Sequence, residues 1–147
     1  MRNLHDSLGV EVLGLDLSMP LEAETKEQLV SAWLDHLILL FRDQDLTPRA
    51  QRMFCEEFGP LGGRLRKAED RPEGRDADNI MLVTNVRKNG VPIGSLPDGE
   101  MFFHHDKCYA PEPDWGTMLY AMEVTQVGGH TLFANMYAAW ETLPADL

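Results

Sequence analysis

The run Leu37-Ile-Leu-Leu-Phe41 constrains the fold more than any other segment. Five consecutive apolar residues are too few for a helix of ordinary length. They stop abruptly at Arg42-Asp-Gln-Asp45, a cluster with turn chemistry. A short, uninterrupted apolar stretch bounded by turn residues predicts a buried strand. The segments around it then take their places. Upstream, apolar residues alternate at Val10, Val12, Leu15 and Leu17 with a break at Gly14, which predicts a short strand with a kink or bulge. Ser18-Met-Pro20 reads as a turn. From Ala23 to His36 the spacing is helical, with Leu29, Trp33 and Leu37 on one side and acidic residues gathered near the start.

Downstream, Thr47-Pro48 marks a helix start, with Thr47 as N-cap and Pro48 at the first helical position. Ala50, Met53, Phe54 and Phe58 form its apolar face, and Gly59-Pro60 ends it. Residues 62–79 are polar and aperiodic and read as a long loop. Ile80–Val86 reads as a strand, Lys88-Asn-Gly90 as a hairpin turn with Val91–Ile93 pairing back, and Ser95–Gly99 as another turn. From Phe102 the pattern is β-rich, over 102–109, 117–124 and 130–133, and Asn135–Leu143 reads as a final short helix. The order predicts an α+β protein, with a sheet decorated by early helices.

With 147 residues the chain has the length of one ordinary domain, residues 1–147. A formal charge of -11 disfavours nucleic acid and anionic membrane surfaces as partners, while leaving a small anionic substrate acceptable. No apolar run approaches the roughly 20 residues needed to cross a bilayer. The two cysteines, Cys55 and Cys108, have the spacing of neither a disulfide scaffold nor a zinc knuckle. Cys55 is expected to be a small core residue. Reduced thiols and the lack of a signal-like start predict a cytoplasmic protein.

The chemistry is concentrated in Phe102-Phe-His-His-Asp-Lys-Cys-Tyr109. On an extended strand His104 and Asp106 share one face. An imidazole and a carboxylate are two thirds of a facial triad, which leaves three positions of an iron ion open. The spacing alone is weak, and the bland alternative is a polar pair at a strand end. Aromatics at Phe102, Phe103 and Tyr109 suit a site that excludes water. Gly128-Gly-His-Thr-Leu132 places the Thr131 hydroxyl just after a tight turn, where it can meet a bound carboxylate.

Five segments together resemble the taurine dioxygenase and 2,4-dichlorophenoxyacetate dioxygenase (TauD/TfdA) family of iron(II)/2-oxoglutarate oxygenases. They are Gly9-Val-Glu-Val-x-Gly-x-Asp-Leu17, Leu40-Phe-Arg-Asp-Gln44, Phe58-Gly-Pro-Leu61, His104-x-Asp106 and Gly128-Gly-x-Thr-Leu132, in the family's order and spread over nearly the whole chain. The resemblance implies a double-stranded β-helix, or jelly roll, with His104 and Asp106 as the first two Fe(II) ligands and Thr131 contacting 2-oxoglutarate. It implies oxidative decarboxylation of 2-oxoglutarate to succinate by molecular oxygen, coupled to hydroxylation of a small organic substrate.

The family's second iron histidine and its 2-oxoglutarate-binding arginine lie well beyond the Gly-Gly-x-Thr segment. The expectation is therefore an N-terminal portion of the domain with its C-terminal half missing, as a fragment, a frameshifted gene, a split enzyme or a degenerate relative. His130 sits where the family varies, and Arg64, Arg66 and Arg87 precede the dyad. Glu100 stands where the taurine enzymes carry asparagine, which disfavours a sulfonate held in their manner. Two other readings are a non-catalytic module that forms a homo-oligomer through an open sheet edge, and a zinc site drawn from His104, His105, Asp106 and His130.

Overall fold

The computed structural model describes residues 1–62, 80–94 and 102–146. Its described residues are α+β and fall into two units, residues 1–46 with 120–147, and residues 47–119.

The first unit is built on a three-stranded sheet. Strands β1 (Arg2–Asn3), β2 (Val10–Val12) and β3 (Leu39–Phe41) lie in that order, with helix α1 (Ala23–His36) between β2 and β3 in sequence. β2 runs antiparallel to β1, with Arg2 opposite Glu11, and parallel to β3, with Val10 opposite Leu39 and Val12 opposite Phe41. Parallel neighbours need a long crossover, and α1 provides it. The helix occupies the span that its periodicity predicts. Leu29 and Ala32 are buried beneath it, together with Val10, Leu17 and Leu46.

Leu37 stops the helix in the left-handed region, φ 67°, and donates its N–H to the Trp33 carbonyl at 2.7 Å. That ending takes Leu37 out of the apolar strand, so only Leu39–Phe41 joins the ladder. These three side chains are half-buried rather than enclosed, which corrects the expectation of a buried strand. The strand expected over residues 9–17 likewise ends at Val12. Gly14 takes φ 72°, which side-chain-bearing residues avoid, and Asp16 accepts the Ser18 N–H at 2.9 Å to form a turn. The alternation at Leu15 and Leu17 thus reported the burial of Leu17, not further strand.

Two of the recognisable segments meet here. Glu11 is only 3% exposed, and its carboxylate receives the Arg2 guanidinium on one oxygen and Arg42 Nε on the other at 3.1 Å. A buried carboxylate requires such partners. Gln44 ties together the segments that follow β2 and β3. Its Oε1 accepts the Leu17 N–H at 2.9 Å, and its Nε2 donates to the Leu15 and Arg42 carbonyls. Tyr120 closes this clasp, with its hydroxyl donating to the Gln44 carbonyl and accepting the Leu46 N–H. Helix α3 (Met136–Glu141) is capped by Asn135, whose Oδ1 accepts the Ala138 N–H while Nδ2 donates to the Ser7 carbonyl.

The second unit starts with helix α2 (Pro48–Glu56). Thr47 is its N-cap, with Oγ1 accepting the Ala50 N–H at 3.2 Å. Phe54 is buried and meets Phe58 edge-on at 5.2 Å between ring centroids, whereas Met53 of the expected apolar face is exposed. Cys55 is half-buried, with Sγ 3.4 Å from Met118 Sδ. Asn89 and Gly90, both at positive φ, link β4 (Arg87–Lys88) to β5 (Val91–Pro92) in the expected two-residue hairpin.

Several expected strands do not form. Residues 80–86 precede the hairpin without a ladder, and residues 102–109, 117–124 and 130–133 carry none either. A strand requires a hydrogen-bonded neighbour, and near residues 105–110 the backbone instead turns on itself. Cys108 N–H donates to His105, Ala110 N–H to Lys107, and Gly128 and Gly129 both sit at positive φ. The readings at residues 63–79 and 95–99, and those at Arg64, Arg66 and Glu100, lie outside the described residues. No described helix is long and apolar enough to cross a membrane.

Candidate metal centre

His104 and Asp106 come together in the second unit, with Nε2 of the imidazole 3.2 Å from Oδ1 of the carboxylate. The sequence argument expected a shared strand face. The structure reaches the same pairing by another route. Residues 102–105 are irregular, a turn begins at Asp106, and Lys107 takes φ 52° in the left-handed region. The turn folds Asp106 back towards His104.

Each ligand candidate is anchored through the atom that faces away from the pair. His104 Nδ1 lies 2.8 Å from the Phe102 carbonyl oxygen. A carbonyl only accepts, so Nδ1 carries the hydrogen and, in the neutral ring, Nε2 carries the lone pair. On Asp106, Oδ2 accepts the Thr117 hydroxyl at 2.8 Å, which leaves Oδ1 towards His104. The hydrogen bond to the Phe102 carbonyl holds the His104 pKa above its ordinary value; desolvation opposes it, and the Asp106 carboxylate adds to the rise.

The separation suits a metal as well as a proton. Adjacent ligand atoms at about 2.1 Å from an octahedral ion stand roughly 3 Å apart. The pair is already at that spacing. A cation that replaces the shared proton sits to one side of the N···O line, so the ring and the carboxylate turn towards it while keeping their separation. Both residues are about half exposed, so the lone pairs can be reached. The flanking aromatics do not screen them: Phe102, Phe103 and Tyr109 are all largely exposed, contrary to the expectation of a water-excluding shell.

Thr131 belongs to the first unit, exposed and two residues past the Gly128-Gly129 turn, whose Gly128 carbonyl accepts the Thr125 hydroxyl at 2.8 Å. His130 lies in that unit as well. Among the described residues no group of three or more His, Cys, Asp and Glu side chains is gathered to hold a metal, so the four-residue zinc arrangement is not assembled there. Arg87 is an exposed residue of β4.

Thr117 and the Lys107–Asp114 ion pair, 2.8 Å and partly buried, were not singled out from sequence. A signal was present. Ala110-Pro-Glu-Pro-Asp-Trp-Gly116 has the composition of a chain reversal, and a reversal there returns residue 117 towards residue 106.

Comparison with known proteins bears out the family resemblance. The (S)-phenoxypropionate/alpha-ketoglutarate-dioxygenase of Sphingobium herbicidovorans is 33% identical over 145 residues, covering 98% of this chain and 47% of that protein. Pentalenolactone F synthase of Streptomyces avermitilis is 33% identical over 146 residues, covering 96% and 46%. The alpha-ketoglutarate-dependent 2,4-dichlorophenoxyacetate dioxygenase of Cupriavidus pinatubonensis is 29% identical over 152 residues, covering 98% and 52%. This chain therefore spans about half the length of the curated relatives it matches. A crystal structure of AAD-2 in complex with Mn(II) and N-oxalylglycine aligns with 44% of this chain and 25% of its own, at 33% identity and a TM-score of 0.41. The family profile described as "Taurine catabolism dioxygenase TauD, TfdA family" matches residues 1–147, and the chain belongs to that family.

Proposed function

We propose that this chain carries the first two protein ligands of a mononuclear iron(II) centre, in a protein that couples decarboxylation of 2-oxoglutarate to hydroxylation of a small organic substrate. The observation that carries the reading is the 3.2 Å approach of His104 Nε2 to Asp106 Oδ1, in a chain of this family. The donor set fits: one neutral imidazole nitrogen and one carboxylate oxygen bind a divalent ion while leaving positions free for a chelating cosubstrate and oxygen. When bound, the iron supplies the activation of oxygen that a carboxylate and an imidazole cannot provide alone.

The chain's own residues then have distinct tasks. His104, tethered through Nδ1, offers Nε2, and Asp106 offers Oδ1 and offsets part of the ion's charge. Thr131 offers its hydroxyl to a carboxylate of 2-oxoglutarate. In the whole protein a further histidine and an arginine complete the site. There a jelly roll covers side chains that stand exposed in this chain, among them Val124, Val127, Leu132, Phe133 and Trp140. The substrate is a small molecule. An anion is favoured by relatives named for phenoxypropionate and 2,4-dichlorophenoxyacetate. The free thiols of Cys55 and Cys108 suit a reducing, cytoplasmic setting.

The decisive experiment uses the whole protein. Anaerobic titration should give one Fe(II) per chain, and admission of oxygen should convert 2-oxoglutarate to succinate. His104→Ala should abolish both. An alanine variant that retains metal and succinate formation would remove the basis of this reading.

A further inference from the structure

We infer that Thr117 is a positioning residue for the metal centre, acting through Asp106. This rests on the assignment of His104 and Asp106 as ligands. A carboxylate has two equivalent oxygens and rotates about its Cβ–Cγ bond, so an untethered, half-exposed Asp106 would present either oxygen, or both, to a cation. The Thr117 hydroxyl ends that equivalence. It donates to Oδ2 at 2.8 Å, while Oδ1 alone faces His104 Nε2 at 3.2 Å. The arrangement prescribes a one-oxygen ligand with its second oxygen held by a neutral donor. This complements the tether of His104 Nδ1 to the Phe102 carbonyl. Outer partners of this kind orient ligands and raise affinity.

The intervening chain is built to deliver Thr117. Pro111 and Pro113 restrict the backbone between the two residues. Inside the loop closed by Asp106 and Thr117, the ion pair of Lys107 with Asp114 closes a second, smaller loop. Lys107 is adjacent to Asp106 in the chain, so this inner closure holds the turn from which the carboxylate projects. Thr117 is exposed and supports no core, so removing its hydroxyl tests orientation and not folding.

The test is Mn(II) binding to the whole protein, followed by the electron paramagnetic resonance signal of the free ion, for the parent, Thr117→Val, Thr117→Ser and His104→Ala. Valine keeps the shape and loses the donor, whereas serine keeps the donor. Thr117→Val should weaken Mn(II) binding about tenfold, and Thr117→Ser should stay within about twofold of the parent. The metal-free thermal midpoint should be unchanged in both. If His104→Ala weakens binding while Thr117→Val matches the parent, the role of Thr117 is overturned and the ligand assignment stands. Serine weakening binding as much as valine would also overturn it. A parent that binds no Mn(II), or His104→Ala binding as the parent does, would overturn the ligand assignment and this inference with it.

Discussion

The sheet of the first unit and the dyad segment of the second are held by different kinds of force. Around β2 the backbone is paired on both sides, Val10 and Leu29 are 1% exposed, and Glu11 is enclosed between two guanidinium groups. Between Phe102 and Thr117 there is no ladder. His104 and Asp106 remain half exposed, and the links are single polar contacts: ring nitrogen to carbonyl, hydroxyl to carboxylate, ammonium to carboxylate. The difference teaches where the stability of the described residues is concentrated. Buried apolar area dominates the first region and is costly to disturb. The second is arranged by single solvent-exposed polar contacts, weak enough for an arriving cation to rearrange without unfolding its surroundings.

That contrast can be broken by substitution. Leu29→Ala removes the centre of the α1 packing and should cost about 3 kcal/mol in urea unfolding. A loss below about 1 kcal/mol would mean that the sheet region is not the better packed of the two. Thr47→Ala deletes the α2 cap and should cost about 1 kcal/mol by the same measurement, because the Ala50 N–H loses its acceptor. His104→Ala should leave the urea midpoint unchanged, since an exposed side chain supports little packing, while metal binding should be lost. Unfolding at much lower urea would assign the dyad a structural role.

The finest comparison is between the two thiols of the second unit. Burial, helped by the negative charge of Glu56, pushes the Cys55 thiol above its ordinary pKa, whereas Cys108 is exposed. A raised pKa means less thiolate at neutral and mildly alkaline pH. A disulfide reagent should therefore modify Cys108 first and reach Cys55 only as pH rises further. Equal rates near pH 8 would contradict the burial of Cys55.

Much of this protein is written locally. Helix α1 follows from the spacing of its apolar residues, α2 from Thr47-Pro48, and the hairpin from Asn89-Gly90. The pairing of His104 with Asp106 follows from two residues separated by a single residue. Each depends on neighbours within a few residues, whose preferences act before any tertiary contact exists. Tertiary structure alone decided that β2 lies parallel to β3, that Glu11 is enclosed by Arg2 and Arg42, and that Thr117 rather than another hydroxyl reaches Asp106. It also decided that the described segments after residue 102 form no ladder. A ladder or a tether between distant residues depends on which segments meet in space, and a periodic pattern specifies only which side of a segment would face a partner if one came.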